Sequence, residues 1–291
     1  MEPQISIGVP VYNGSPSIYD ALKGIQRQTF KSFEVLISDN CSEDNTAELC
    51  KKFCEADGRF QYVRQSTNIG LLPNFEYLLK NSKAPLFCWF AYDDYTDDNY
   101  LEVLEEALTA NPRAILAVGH THWRDFPANY EKWFKVSDTS GYDIPKALSI
   151  QFRECCAGWF YGLYRREPLI PHWDYCRDNI GFDSYNGDII TMAKLVAEGH
   201  VVSSSGTVLH LQRLTLKQSP LHNFDLKART AAFKLAWRTG SDGIAKLPIN
   251  PIQKALLRPL LLYFINRRII KVKPLLKANI RRSLGLSYAL R

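Results

Sequence analysis

Two adjacent carboxylates, Asp93 and Asp94, stand just behind the run LFCWF at 86–90, whose length and aromatic, apolar composition are those of a buried strand. Acids placed side by side where a central strand stops repel one another unless a cation lies between or beside them. For hard oxygen ligands that cation is Mg²⁺ or Mn²⁺, and a diphosphate is a natural co-ligand. A plainer reading keeps the pair as a polar turn before a helix capped near Asp97. Two other groups have the residue types for chemistry. His120 and His122, two apart, share a face if they lie on a strand, where they either bind a metal or are ordinary strand-end residues. Asp188 stands at or beside the start of an apolar helical pattern at 189–198, the place of a capping aspartate.

The elements that must position these groups follow from periodicity. Strands at 5–9, 33–37, 60–63, 86–90 and 114–118 alternate with helices. The first helix carries Ile18, Ala21, Leu22 and Ile25 behind a cap at Ser15 or Ser17; the last carries Leu101, Val103, Leu104, Ala107 and Leu108 and stops at Asn111-Pro112. This alternation predicts an α/β fold, a mainly parallel sheet flanked by helices, with ligand groups on loops at the strands' carboxyl ends. Four such loops carry polar residues: Tyr12-Asn13, Asp39, Asn68 and Asp93-Asp94. Their convergence marks the site. At 291 residues the chain allows one extended α/β domain or two small ones. Its seven cysteines form no CxxC, which argues against a zinc knuckle, and several fall in apolar periodic segments as reduced core residues do. A reducing cytoplasmic setting is expected, since the chain also runs from Met1 into a strand without an export leader.

The segments IGVPVYNG, QRQTFKSFEVLISDNCSEDNT, NIGLLPNFEYLLKNS and YDDYTDDNYLEVL, in that order and spacing, resemble the nucleotide-binding half of family 2 glycosyltransferases, which have the GT-A (Rossmann-like) fold. The resemblance implies an inverting enzyme that uses Mg²⁺ or Mn²⁺ as cofactor. Its donor is a nucleotide-diphosphate sugar (UDP-, dTDP- or GDP-linked), its acceptor a hydroxyl of a glycan or lipid-linked molecule, and its setting surface polysaccharide synthesis. Within the donor site it places Pro10, Tyr12 and Asn13 in the first loop, Tyr12 against the nucleobase, Asp39 as acceptor from the base, Asn68 in the same pocket, Tyr92 near the ribose and Asp93 on the metal. A uracil or thymine N–H needs a carboxylate acceptor, and an aromatic face offers stacking area at little entropic cost. Each residue keeps a plainer reading as well: Tyr12 as a turn residue, Asp39 as an Asx turn, Asn68 as a loop residue that tolerates positive φ. The family's DxDD reads Ala91-Tyr92-Asp93-Asp94 here, so the first acid is missing and weaker metal affinity is expected.

Further along, the resemblance makes Asp188 the catalytic base, with Asp183 in reserve on the acceptor side. GWFYGLYRR at 158–166 is expected to be a strand before the acceptor pocket, contributing Trp159. His210, in VLHLQR, resembles the late histidine that completes the metal site in some relatives, or is a plain strand histidine; Gln212 and Arg213 could contact phosphate. The expected organisation is a nucleotide-sugar half at 1–120, an acceptor-binding and catalytic half at 121–218, and a basic helical extension at 219–291.

After Asp242 there are eleven Lys or Arg and no acid, leaving 25 basic against 30 acidic residues in the first 243. The uncharged run 259–266 is far shorter than the ~20 apolar residues a membrane span needs. Alternation of apolar and basic residues suggests instead amphipathic helices lying on an anionic membrane surface, so the protein is expected to be cytoplasmic and peripheral on the inner face. A packed helical pair and a homodimer contact are the alternatives, and nucleic-acid binding is not expected. Two other functions share parts of the pattern. A sugar nucleotidyltransferase would carry a Gly-rich, Arg-containing loop after the first strand, which 9–15 lacks; a non-catalytic glycan-binding descendant would explain Ala91. Walker A and GxGxxG loops are both missing.

Overall fold

Every residue of ISIGVPV is buried, as a strand in the middle of a covered sheet requires, and this segment forms β1 (Ile5–Val11). The computed structural model describes residues 2–180, 187–213 and 226–270. β1 pairs in parallel with β2 (Phe33–Asp39) on one flank and β4 (Leu86–Trp89) on the other, and β2 pairs in parallel with β3 (Phe60–Arg64). The crossovers are α1 (Ser17–Arg27), α2 (Thr46–Ala56) and α3 (Leu71–Asn81). Gly8 lets α3 approach β1: a Cβ there would lie 3.0 Å from both Leu78 Cβ and the Phe87 ring.

Beyond β4 the sheet becomes mixed. β8 (Leu163–Arg165) runs antiparallel between β4 and β6 (Leu116–Asp125), and β9 (Val201–Arg213) lies parallel to β6. The two-residue β5 (Tyr95–Thr96) closes on β9, and β7 (Tyr130–Phe134) folds back on β6 as a hairpin. Among the described residues the order is β3-β2-β1-β4-β8-β6-β9-β5, with β7 on β6.

One core lies between this sheet and α1, α2 and α4 (Tyr100–Ala110), built from Ile5, Ile7, Val9, Ile18, Leu22, Phe53, Leu101 and Leu104 among others. Each fully buried side chain of this kind contributes about 1.5–3 kcal/mol. The other face carries α3, α5 (Ile144–Glu154), α6 (Arg166–Asn179), α7 (Gly187–Ala197), α8 (Leu226–Lys246) and α9 (Pro251–Ile265). Trp89 is the hub of that second core. Its ring meets Phe87 edge-on at 4.7 Å, stacks on Phe160 at 5.0 Å and contacts Trp173 at 5.1 Å, while its Nε1 donates to the Phe75 carbonyl.

The first four strands lie where periodicity puts them; the later elements differ. The expected strand at 158–166 is a 3₁₀ turn (Ala157–Tyr161) followed by the short β8, because Gly162 brings the chain so close to β6 that a Cβ would stand 2.3 Å from the Ala117 carbonyl. Neither Ser15 nor Ser17 caps α1: Pro16 holds the cap position and no side chain bonds there. β7 and α5 occupy a stretch that reads as irregular. Asp143 caps α5 through the Lys146 amide, with Pro145 in its first turn. All seven cysteines are free thiols.

Burial on α6 yields a pH-dependent stability. His172 is enclosed beside Cys176, whose Sγ lies 3.4 Å from Nε2, and burial pushes its imidazole down to about 3, with Lys194 and His200 adding to the effect. A base whose folded pKa is depressed is protonated first in the unfolded chain, so its stabilisation is full above about 6.5 and is lost as pH falls toward 3. Denaturant melts at pH 7 and pH 5 should therefore show the wild type losing about 2 kcal/mol more than His172→Gln across that interval. Equal losses would dismiss the assignment.

Candidate active site

The loops at the carboxyl ends of β1, β2 and β3 are sewn together by their own polar groups. Asn13, at φ 50°, donates its amide to Ser42 Oγ and accepts from the Glu43 amide. Gly14 and Ser15 donate theirs to Thr46 Oγ1 and Asp44 Oδ2. From the other side, Asn40 Nδ2 donates to Asn68 Oδ1 and the Gly70 carbonyl, and Asn40 Oδ1 accepts from the Ile69 amide. Asn and Asp suit such work because their short side chains reach backbone groups two or three residues away. Tyr12 is left 41% exposed on this platform.

Asp39 ends β2 with no exposed side-chain surface. Oδ1 accepts from the Ser42 amide at 2.8 Å; Oδ2 accepts from the Tyr62 hydroxyl at 2.6 Å and lies 3.4 Å from Arg64. The Asx-type turn is thus real, and a base edge reaches this carboxylate only where Arg64 or Tyr62 yields a bond. Pro10 is buried inside β1, opposite Ser38, and positions the loop without offering a surface. Asn68 is exposed, with its carbonyl engaged by Asn40 and Gly70.

Tyr92, half-buried, packs on Gly14, where a Cβ would stand 2.8 Å from its ring. The end of β4 is thereby fixed against the first loop. Burial raises the Asp93 carboxyl, and burial and then the Asp93 charge raise Asp94 well above the usual carboxylate range. β9 answers part of that cost: the Gln212 amide donates to Asp94 Oδ1 at 2.7 Å, and Gln212 Nε2 donates to the Asp93 carbonyl at 3.3 Å. Two adjoining acids that are unfavourable in their charged form fit a divalent cation. Among the described residues, no group of three or more His, Cys, Asp or Glu side chains could hold a metal ion, so its remaining ligands fall to phosphate and water.

Asp188 lies in the first turn of α7, half-buried, its Oδ1 accepting from the Ile189 amide. Tyr161 ends the 3₁₀ turn, and burial, then the charges of Asp94, Asp93 and Asp188, push its hydroxyl up. Nothing in the sequence singles out Tyr161; its place depends on the 3₁₀ turn that replaces the expected strand. Asp183 lies outside the described residues, as do residues 271–291 of the tail.

Two expectations need correction. Trp159 is only 1% exposed and is a core residue, so its ring is not available to an acceptor. His210 is not turned to the acid pair: Nε2 lies 3.1 Å from Asp97 Oδ1 and Nδ1 3.3 Å from His122 Nδ1. Of the two readings of His120 and His122 the ordinary one fits, since His120 Nδ1 accepts from the Val136 amide while His122 faces His210 and Glu131. Arg213 is paired with Asp125 at 2.9 Å.

The sequence profile described as "Glycosyl transferase family 2" matches residues 6–173. The chain is 31% identical over 120 residues to glycosyltransferase GlyA of Streptococcus pneumoniae, a match covering 41% of this chain and 17% of that protein. It is 22% identical over 130 residues to glycosyltransferase GlyG of the same organism, covering 45% and 43%. The chain thus spans less than half the length of these curated relatives. Among solved structures it is similar to residues 1–349 of S. aureus TarS in complex with UDP, with 18% identity, TM-score 0.60 and coverage of 92% of this chain and 71% of that one. It is also similar to the mannosyltransferase PcManGT of Pyrobaculum calidifontis in complex with GDP-Man and Mn²⁺, with 14% identity, TM-score 0.54 and coverage of 91% and 70%. With the profile spanning more than half its length and the GT-A fold matching over most of it, the chain belongs to glycosyl transferase family 2.

Proposed function

We propose that this glycosyltransferase moves a hexosyl or deoxyhexosyl group from a nucleotide-diphosphate sugar to a hydroxyl of a glycan or lipid-linked acceptor, with inversion, in surface polysaccharide synthesis. The observation that carries the reading is the adjacent, half-buried pair Asp93 and Asp94 at the end of β4, held by Tyr92 packed on Gly14 beside the loops that carry Tyr12 and Asp39. Tyr12 offers its exposed ring to the base and Asp39 an acceptor oxygen to the base N–H, with Asn13 and Asn68 keeping the loops in place. Tyr92, wedged on Gly14, borders the ribose. A UDP-, dTDP- or GDP-linked donor suits this platform; the solved neighbours named above carry UDP and GDP-Man. Asp93, with Asp94 beside it, would hold Mg²⁺ or Mn²⁺, which when bound supplies Lewis-acid stabilisation to the departing diphosphate. Asp188 takes the proton of the acceptor hydroxyl as its oxygen attacks the anomeric carbon from the face opposite the nucleotide. Inversion follows from that geometry.

The acceptor's location is read from α9. Ile252, Leu256, Pro259 and Tyr263 lie along one exposed face, with Ile252 at 73% and Leu256 at 68% exposure, and Arg258 and Arg267 are exposed beside them. Leu257, Leu261 and Phe264 are buried on the opposite face. No helix among the described residues is long and apolar enough to cross a membrane. An exposed apolar stripe with basic flanks fits the cytoplasmic surface of an anionic bilayer, where lipid-linked acceptors are found.

Three measurements test these assignments. Asp188→Asn keeps the side chain's size and its acceptor oxygen for the Ile189 amide but cannot accept a proton, so transfer should fall by about 10²–10⁴-fold with donor affinity near wild type, while Asp183→Asn stays mild. Normal transfer by Asp188→Asn would remove it as the base. In calorimetry, Asp39→Ala should weaken nucleotide binding by about 1–3 kcal/mol, and Asp93→Asn should abolish the loss of binding that EDTA causes in the wild type. Unchanged binding in both variants would defeat the donor-site reading. Wild-type protein should sediment with anionic liposomes at low salt, and Ile252→Glu with Leu256→Glu should release it; a wild type left in the supernatant sinks the membrane reading.

A further inference from the structure

Four rings from four strands stand in one row across the sheet. Tyr95 on β5 is the register partner of His210 on β9, His210 of His122 on β6, and His122 of Trp133 on β7. Tyr95 stacks on His210 at 4.4 Å and 5° between planes, His210 meets His122 edge-on at 5.5 Å, and His122 stacks on Trp133 at 4.2 Å and 9°. The two imidazoles in the middle are held at both ends. Glu131 Oε2 lies 3.3 Å from His122 Nε2, the two Nδ1 atoms face each other, and Asp97 takes His210 Nε2. Trp133 and Tyr95 therefore rest on rings whose orientation is fixed, and Trp133 remains 45% exposed.

One ladder step on, the same face carries a polar row: Glu131 opposite Arg124, and Arg124 opposite Gln212. Gln212 is the residue bonded to Asp93 and Asp94. Arg124 also reaches the Tyr95 hydroxyl at 3.4 Å. The aromatic row and the polar row thus run side by side from the hairpin to the acid pair.

Building on the glycosyltransferase reading, we propose that this double row is the acceptor platform, with a pyranose ring of the acceptor glycan lying on the Trp133 indole and its hydroxyls bonded to Glu131, Arg124 and Gln212. A sugar has one apolar C–H face and a rim of hydroxyls that both donate and accept. A fixed aromatic ring edged by a carboxylate, a guanidinium and an amide matches both parts. The row ends on the groups that hold the donor's acids, so a glycan laid along it has one end directed to the transfer site. The neighbouring carboxylates of Glu131 and Asp97 repel a nucleic-acid backbone, and a lipid chain would strand the polar row without partners.

The test uses the full chain without nucleotide, so that it does not depend on transfer. Wild type is applied to a printed array of neutral and acidic oligosaccharides of two to four sugars, and the best ligand is titrated by calorimetry against variants. Trp133→Ala should weaken that ligand about tenfold or more, as loss of a central aromatic anchor does, while Trp133→Phe stays within a few-fold of wild type. Tyr130, exposed on the opposite face of β7, provides the control: Tyr130→Ala binds as wild type does. Circular dichroism monitors folding, and Glu131→Ala, a change at a largely exposed side chain, supplies a second loss of several-fold should Trp133→Ala not fold. A wild type that binds no oligosaccharide at millimolar concentration overturns the proposal, as does wild-type affinity in folded Trp133→Ala or in Glu131→Ala. Glycan binding in a protein that never releases nucleoside diphosphate would overturn the transfer reading and leave the platform standing.

Discussion

Two half-buried carboxylates next to each other in sequence are the constraint on which the rest of this protein depends. Burial disfavours charge on Asp93 and Asp94, and the Asp93 charge disfavours it further on Asp94. A fold can keep such a pair only by bringing donors or cations to it. Here β9 returns along β6 and places the Gln212 amide and side chain against the pair, and the two-residue β5 exists to bring the chain behind the acids into register with β9.

The first half was legible because its signals are local. Apolar strand runs, helical spacing and turn residues name β1 to β4 and the loops between them, and Asp39, Asn68 and Asp93 are visible as polar residues at strand ends. What those residues do to one another was less so. The local Asx bond of Asp39 to the Ser42 amide was among its readings, but Tyr62 and Arg64, which engage its other oxygen from β3, are set by strand pairing that no local spacing reveals.

The second half defeated period-based reading for a different reason. GWFYGLYRR has strand composition, yet Gly158 and Gly162 allow contacts so close to β6 that the chain coils into a 3₁₀ turn and buries Trp159. His210 looks like a ligand because VLHLQR resembles a family segment with a late metal histidine; its cross-strand neighbours Tyr95 and His122 decide otherwise, and register is not written in either strand alone. Asp188 could be placed at a helix start by pattern, and it lies in the first turn of α7.

The bonds from Gln212 to the acid pair join residues 118 and 119 positions apart. During synthesis at ~5–20 residues per second, the strands that present the acids therefore exist for roughly 6–24 s before the residue that covers them has been made. For that interval the nascent chain carries the two carboxylates without the Gln212 amide that meets Asp94 Oδ1 in the folded protein.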